Sequence, residues 1–172
     1  GAESAVLLHL AASVDRGIPV VFMDTLRLFP ETLAYRDQLV ERLGLTDVRT
    51  ITPDPEALQA ADPHKALWMM NADACCRIRK TEPLARAMAG FDAWFTGRKR
   101  FQAATRAAIQ AFEQDGDRIK VNPLAAWSID DLRAYVAEHD LPPHPLVAKG
   151  YPSIGCQPCT SKVKPGEDAR AG

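Results

Sequence analysis

The sequence predicts an α/β protein built on a parallel sheet. Two short segments rich in β-branched and apolar residues, Ile18 to Met23 and Asp47 to Thr52, have the composition of strands, and a stretch with helical spacing precedes each of them. Helices and strands that alternate in this way indicate βαβ units, in which the strands run parallel. With 172 residues, 47% of them apolar, the chain can bury one core, and we expect a single domain over residues 1–172.

The first half of the chain alternates helix and strand. Glu3 to Asp15 carries its apolar residues on one helical face, and Ile18 to Met23 is a continuous apolar run, typical of a strand buried on both faces. Pro30 begins a helix that runs to Leu43, because proline is favoured at the first helical position and Gly44 supplies the end. Asp47 to Thr52 is then the next strand.

The second half is more irregular. Asp115-Gly116 has the composition of a hairpin turn, and Ser128, followed closely by two aspartates, predicts a helix N-cap with an acidic first turn. The predicted elements are short helical pieces between Pro53 and Asp73, a helix from Glu82 to Met88, a buried strand from Phe91 to Thr96, a hairpin within Ile109 to Val121, a helix from Ser128 to about His139, and a proline-rich loop from Leu141 to Pro158.

The four cysteines form two tight pairs that lie far apart in the chain, Cys75 with Cys76 and Cys156 with Cys159. Four thiolates on one centre suit zinc or an iron–sulfur cluster, because soft sulfur ligands select those metals. Two disulfides or four unrelated buried thiols are the alternatives, but adjacent cysteines do not readily bridge each other. Structural zinc sites usually draw each pair from a C-x(2–4)-C segment, so the adjacent pair favours a cluster over zinc.

Basic residues accompany the first cysteine pair and one predicted strand end. Arg77, Arg79 and Lys80 follow the pair and would place positive charge beside an anionic centre. The segment Gly97-Arg98-Lys99-Arg100 directly follows a predicted strand, and ligands of open α/β sheets bind outside the carboxyl ends of the strands. A solvated basic loop is the alternative interpretation of this second segment.

Two further segments suit a nucleotide. Gly1 to Ser4 leads into the first helix, whose N-terminus offers a positive end to an anion. An ordinary N-cap at Ser4 is the alternative. Asp24 and Thr25 follow the first predicted strand, where they would hold a ribose or an adenine, or serve only as turn residues.

Composition argues against several classes of protein. A net charge of −1 is not that of a general nucleic-acid binder. There is no run of about 18 apolar residues that would span a membrane and no secretory signal, and we expect a cytoplasmic location. The sequence starts at Gly1 without a methionine and ends in a polar run, and we expect truncation at both ends.

These residues together resemble the assimilatory adenylylsulfate reductases, thioredoxin-dependent enzymes of the phosphoadenylylsulfate reductase family. The resemblance covers nearly the whole chain in the right order. It is carried by Cys75 to Leu84, Phe95 to Gln102, Val121 to Leu124, Gly155 to Thr160, Asp24-Thr25 with Leu28 to Thr32, and Gly1 to Ser4 as the tail of the phosphate loop. Related reductases of the 3′-phosphorylated substrate generally lack the paired cysteines, and we therefore favour adenylylsulfate.

The resemblance implies a parallel-sheet, adenine nucleotide α-hydrolase-like (PP-loop) domain with flanking helices that binds adenosine 5′-phosphosulfate. It implies a [4Fe–4S] cluster on Cys75, Cys76, Cys156 and Cys159, with Lys80 between the cluster and the phosphosulfate. The other substrate-binding residues that it implies are Gly1, Ser4, Met23, Asp24, Arg79, Gly97, Arg100 and Arg170.

The resemblance also implies the reaction. A cysteine expected beyond Gly172 attacks the sulfate sulfur, releases AMP and leaves an S-sulfonate, from which thioredoxin releases sulfite. Because the sequence contains no fifth cysteine, we expect the chain to bind the nucleotide without turnover. An ATP-using PP-loop enzyme of the sulfurtransferase or amidotransferase kind and a zinc-stapled binding module are the alternatives. The sequence leaves open whether the protein forms a homo-oligomer.

Overall fold

The structure, a computed structural model, describes residues 3–102, 107–164 and 166. Its internal contacts divide the chain into two compact units. Of the described residues, unit 1 comprises 16–89, 144–164 and 166, and unit 2 comprises 3–15, 90–102 and 107–143. The single domain expected over residues 1–172 stays a prediction.

Unit 1 contains a parallel strand pair joined by a helix. Strand β1 (Val20–Met23) pairs with β2 (Val48–Ile51), with Val20 opposite Val48 and Met23 opposite Ile51. Helix α2 (Pro30–Leu43) connects them and ends at Gly44, whose φ of 62° is left-handed and therefore suits glycine. The predicted βαβ arrangement is confirmed.

Four short helices follow β2, and the third of them contains the first cysteine pair. They are α3 (Pro55–Ala61), α4 (Leu67–Met70), α5 (Ala72–Cys76) and α6 (Glu82–Ala87). A π-helical turn, Arg77–Thr81, joins α5 to α6 without a break in helical conformation. The sequence did not predict this turn, and such wide turns within helices are frequent at functional sites.

Unit 2 contains a mixed three-stranded sheet and two helices. Strand β5 (Arg118–Val121) lies between β3 (Ala93–Phe95), to which it is parallel, and β4 (Phe112–Asp115), to which it is antiparallel. The predicted hairpin is thus confirmed. The helices are α1 (Ser4–Val14) and α7 (Ile129–Glu138).

Capping explains where the two helices of unit 2 begin. Ser128 is the N-cap of α7 and the first turn is acidic, as predicted, and Ser128 and Asp131 also form a reciprocal capping box. The N-cap of α1 is Glu3, whereas Ser4 is already the first helical residue. The alternative of an N-cap at Ser4 is therefore wrong.

The expected double-sided burial of two strands is also wrong. All four residues of β1 are only half-buried, and Phe95 in β3 is 50% exposed. Among the described residues, β1 pairs only with β2 and β3 only with β5. A strand with a neighbour on one side keeps part of its surface accessible, and an apolar sequence alone does not reveal this position in a sheet.

No helix within the described ranges is long and apolar enough to cross a membrane.

His144 is a buried polar residue in the core of unit 1, with 2% of its surface exposed. The backbone N–H of Leu146 donates to Nδ1 at 3.2 Å, so the ring proton lies on Nε2, which donates to Thr32 Oγ1 at 3.0 Å. Burial lowers the pKa of His144 from its usual value of 6.5. The neutral imidazole is therefore part of the folded core.

We predict that His144 makes the protein less stable in mild acid. Below about pH 6.5 the unfolded chain takes up a proton at this position that the folded protein takes up only at lower pH, so the free energy of unfolding falls, at a rate of at most about 1.4 kcal/mol per pH unit from this group. Urea unfolding between pH 7.5 and 5.5 should show a smaller pH dependence in His144→Gln than in the wild type. His64→Gln, which removes an exposed imidazole, is the matched control. An unchanged slope in His144→Gln would contradict the assignment.

Candidate functional site

All four cysteines line one pocket in unit 1, which we call the cysteine pocket. Its cavity is small, about 10 Å³. Cys75 and Cys156 are buried, Cys76 and Cys159 are exposed, and all four thiols are free. The remaining lining residues are Arg27, Trp68, Ala72, Arg79, Lys80 and Pro158.

Helix α5 places the first cysteine pair. Asn71 caps the helix by accepting a hydrogen bond from the backbone N–H of Ala74 at 2.9 Å. Cys75 and Cys76 are the last two residues of α5, and the π-helical turn that follows brings Arg79 and Lys80 to the same pocket. The helical conformation of the whole segment therefore gathers two thiols and two cations on one side of the pocket.

The second cysteine pair is attached to the loop that follows β1. Leu28 and Cys156 form an isolated antiparallel bridge, and the backbone N–H of Gln157 donates to Arg27 O at 2.7 Å. The buried hydroxyl of Thr25 lies 3.2 Å from Cys156 Sγ. The loop after β1 thus supports the Cys156 segment. The Thr25 side chain contacts a thiol, and its predicted role in holding a ribose or an adenine stays a prediction.

Arg79 is a buried cation of the pocket, with 4% of its surface exposed. Its guanidinium donates to Thr25 O at 2.9 Å and to Asp62 Oδ2 at 2.7 Å. Its Nε–H is buried and has no hydrogen-bond acceptor among the described residues. A buried donor without a partner is costly, and Arg79 lines the cysteine pocket.

Lys80 is the second cation of the pocket. Burial alone lowers its pKa, but the charges of Cys156, Cys76 and Cys159 and a hydrogen bond to Cys156 outweigh burial, so the pKa of Lys80 is raised. Burial and the neighbouring Cys156 raise the pKa of the Cys159 thiol, against the lowering effect of Lys80. The ammonium and the thiols thus form one electrostatic group.

The basic segment of unit 2, Gly97 to Arg100, follows β3 as predicted. Thr96 Oγ1 donates to Asn122 Oδ1 at 2.5 Å, and the Arg98 guanidinium pairs with Glu113. Lys99 is buried and pairs with Glu3, and Arg100 Nε donates to Ile109 O at 2.8 Å. The side chains of this segment therefore bond to other residues of unit 2. The alternative interpretation, a solvated basic loop, is wrong.

The predicted substrate-binding residues fall in both units. Met23 ends β1, and Asp24 Oδ1 accepts the backbone N–H of Leu26 at 2.8 Å, so Asp24 acts as a turn residue here. These two lie in unit 1 with Arg79 and Lys80, whereas Ser4, Gly97 and Arg100 lie in unit 2. Gly1 and Arg170 lie outside the described residues.

Three residues of the site were not found from the sequence. Asp62 pairs with Arg79 from the end of α3, Arg27 reaches Lys65 O at 2.6 Å from the loop after β1, and Trp68 lines the pocket. They come from three separate segments without a motif. Only Arg27 lies close in sequence to residues that the sequence analysis singled out, the Asp24-Thr25 pair after β1.

The cysteine pocket offers thiols as its potential metal donors. Within the described residues, no three or more cysteine, histidine, aspartate or glutamate side chains are arranged to hold a single metal ion. The four cysteines line one pocket. A cubane iron–sulfur cluster takes a cysteine thiolate at each of four irons, so four thiols that line one pocket are chemically appropriate ligands for it.

The fold is that of an α/β protein with parallel strand pairs, and the site is a four-thiol pocket with adjacent cations. The chain belongs to the phosphoadenosine phosphosulfate reductase family, whose domain model matches residues 1–162. This is a family of reductases. The solved phosphoadenylyl-sulfate (PAPS) reductase from Candida auris, in a phosphate complex, aligns with a TM-score of 0.79 and 28% identity, over 94% of this chain and 79% of that one. The predicted PP-loop-like fold class is therefore confirmed.

Three bacterial relatives are named adenosine 5′-phosphosulfate reductase. The protein from Mesorhizobium japonicum is 58% identical over 172 residues, which are 100% of this chain and 68% of the relative. The protein from Chelativorans sp. is 55% identical over 100% of this chain and 70% of its own length. The protein from Rhodococcus opacus is 42% identical over 99% of this chain and 70% of its own length. The family resemblance inferred from the motifs is confirmed.

We predict that the thiols of the metal-free, reduced protein react in two classes. Cys76 and Cys159 are exposed, whereas Cys75 and Cys156 are only 7% and 6% exposed, and access controls alkylation. Iodoacetamide should label Cys76 and Cys159 before the two buried thiols, as followed by peptide mass spectrometry after treatment with a chelator. Equal rates at all four positions in the folded protein would contradict the described burial.

Proposed function

We propose that this chain is the nucleotide- and cluster-binding part of an enzyme that reduces adenosine 5′-phosphosulfate to sulfite and AMP with thioredoxin, in assimilatory sulfate reduction. The observation that carries the proposal is the convergence of four free thiols, Arg79 and Lys80 on one pocket. The names of the relatives support the choice of this substrate over its 3′-phosphorylated form. We place the reaction in the cytoplasm, where thiols are kept reduced.

We assign Cys75, Cys76, Cys156 and Cys159 as the ligands of a [4Fe–4S] cluster. The pocket supports this assignment through its thiol donors, through Lys80, and through the buried Nε–H of Arg79 that lacks an acceptor among the described residues. When bound, the cluster supplies a compact anionic centre that fixes Lys80 and tunes the local field.

The proposed reaction transfers a sulfonyl group to sulfur. A cysteine thiolate expected beyond Gly172 forms a bond to the sulfate sulfur while the bond from that sulfur to the bridging phosphate oxygen breaks, and AMP leaves with the electron pair. One thiol of reduced thioredoxin attacks the cysteine Sγ of the resulting S-sulfonate, and sulfite leaves as a mixed disulfide forms. The second thioredoxin thiol then attacks the thioredoxin sulfur of that mixed disulfide, which closes the thioredoxin disulfide and releases the cysteine. The nucleophilic thiolate is thereby restored and thioredoxin is oxidised by two electrons.

In this proposal, residues of the chain stabilise the charge of the leaving group and bind the nucleotide. Negative charge grows on the phosphate as AMP departs, and fixed cations in a site shielded from water stabilise that charge strongly. We assign this task to Lys80, Arg79 and Arg100. The residues proposed to seat the nucleotide are Gly1, Ser4, Met23, Asp24, Gly97 and Arg170.

We predict that adenosine 5′-phosphosulfate binds to the anaerobically prepared chain and that Lys80→Gln weakens it. The loss should be at least about tenfold in Kd, since a hydrogen bond to a charged group is worth about 1.5–3 kcal/mol. Lys149→Gln removes an exposed lysine that pairs with Glu31 and should change Kd less than twofold, as exposed pairs contribute little. Titration calorimetry measures both.

Nucleotide binding, together with assays for pyrophosphate and zinc, also distinguishes the proposal from the two alternative functions. ATP binding followed by pyrophosphate release would replace the proposal with an ATP-using PP-loop enzyme. Absence of nucleotide binding, together with one zinc per chain after anaerobic preparation, would replace it with a zinc-stapled binding module.

We also predict that the 172-residue chain binds its substrate without releasing sulfite. All four cysteines of the sequence line the cysteine pocket, so none is left to carry the S-sulfonate. An assay with adenosine 5′-phosphosulfate, thioredoxin, thioredoxin reductase and NADPH should give no sulfite above background. Sulfite release by this chain would overturn the assignment of the nucleophile.

A further inference from the structure

We propose that Asp62 is a positioning residue that holds Arg79 and the neighbouring helix α4 in the arrangement required for binding the anionic substrate. Asp62 is not among the residues that line the cysteine pocket, so it would act through other residues. The inference rests on the function proposed above and adds a residue that the motifs do not include.

Asp62 is a buried carboxylate, with 6% of the residue exposed. Its backbone N–H closes the end of α3 by donating to Leu58 O. Its side chain accepts from Arg79 at 2.7 Å through Oδ2 and from the backbone N–H of Leu67 at 2.9 Å through Oδ1. Arg27 lies 3.8 Å from the same Oδ2. One carboxylate thus joins three separate segments.

The first effect of Asp62 is on the orientation of Arg79. A guanidinium is planar, so two hydrogen bonds to different acceptors fix both its position and its plane. For Arg79 these acceptors are Asp62 and the carbonyl of Thr25, whose hydroxyl contacts Cys156. The remaining Nε–H has no acceptor among the described residues. Asp62 therefore helps to fix the plane of the Arg79 guanidinium and with it the direction of the remaining Nε–H.

The second effect is on α4. Leu67 is the first residue of this short helix, and Trp68, the next residue, lines the cysteine pocket. The hydrogen bond from Leu67 N to Asp62 fixes the start of the helix. Because Arg79 and Trp68 both depend on the same carboxylate, Asp62 sets two sides of the pocket at once.

Charge and position make opposite predictions for the removal of this carboxylate. Arg27, Arg79 and Lys80 line the pocket, and Asp62 supplies a compensating negative charge beside two of them. If Asp62 affected anion binding through its charge alone, its removal would leave the pocket more positive and the anion would bind more tightly. If it acts by positioning Arg79, its removal weakens binding despite the additional positive charge.

The test compares Asp62→Asn, Asp62→Glu and the control Asp37→Asn. Asp37 is an exposed carboxylate paired with Arg36 at 2.7 Å, so its substitution makes the same charge change away from the pocket. The Kd of adenosine 5′-phosphosulfate, the iron content and the urea midpoint are measured on each anaerobically prepared protein. Asp62→Asn should raise Kd by about tenfold, the loss expected from one misplaced hydrogen bond to a charged group.

Asp62→Glu separates positioning from folding. The longer side chain overpacks a buried place and should lower the urea midpoint, but it keeps a carboxylate for Arg79 and should keep most of the affinity. A purely structural role would make the affinity follow the urea midpoint in both variants. Equal or tighter binding by Asp62→Asn, while the wild type binds, would overturn the inference and leave the proposed function intact. Absence of binding by the wild type would instead overturn the proposed function.

Discussion

The attachment of the Cys156 segment to the loop after β1 is the constraint on which the site depends. Cys156 and Cys159 lie in a proline-rich region without long regular elements, so their position must come from another part of the chain. The bridge between Leu28 and Cys156, the hydrogen bond from Gln157 to Arg27 and the contact of Thr25 with the Cys156 thiol supply it. Strand β1 therefore positions the second cysteine pair through its carboxyl end, where α/β proteins commonly place their ligands.

The first cysteine pair is placed by helical geometry. The π-helical turn after α5 changes the angular spacing of the residues that follow Cys76, and Arg79 and Lys80 both line the cysteine pocket. Arg79 is then tied to Thr25 and Asp62, whereas Lys80 is coupled to the thiols. The two cations have different surroundings and, in our proposal, different tasks: Arg79 offers an oriented donor, and Lys80 offers charge.

Local sequence patterns predicted the elements that depend on local interactions. The start of α2 at Pro30, the N-cap at Ser128 and the hairpin at Asp115-Gly116 follow from backbone preferences that neighbouring residues decide. The cysteine spacing predicted one four-thiol site, and the four thiols do line one pocket. The exposure of Phe95 and the roles of Asp62 and Trp68 could not be predicted in this way, because they depend on which segments meet in space. Asp24 shows the same limit, since both a turn and a ligand site are compatible with an aspartate after a strand.

The central claim is that the four thiols hold an iron–sulfur cluster, and the most direct measurement is the metal and sulfide content of protein prepared without oxygen. The account predicts about four irons and about four acid-labile sulfides per chain, with the content lost when Cys76, which is exposed at the pocket, is replaced by serine. Stoichiometric zinc without iron or acid-labile sulfide would contradict the account and make the pocket a structural metal site.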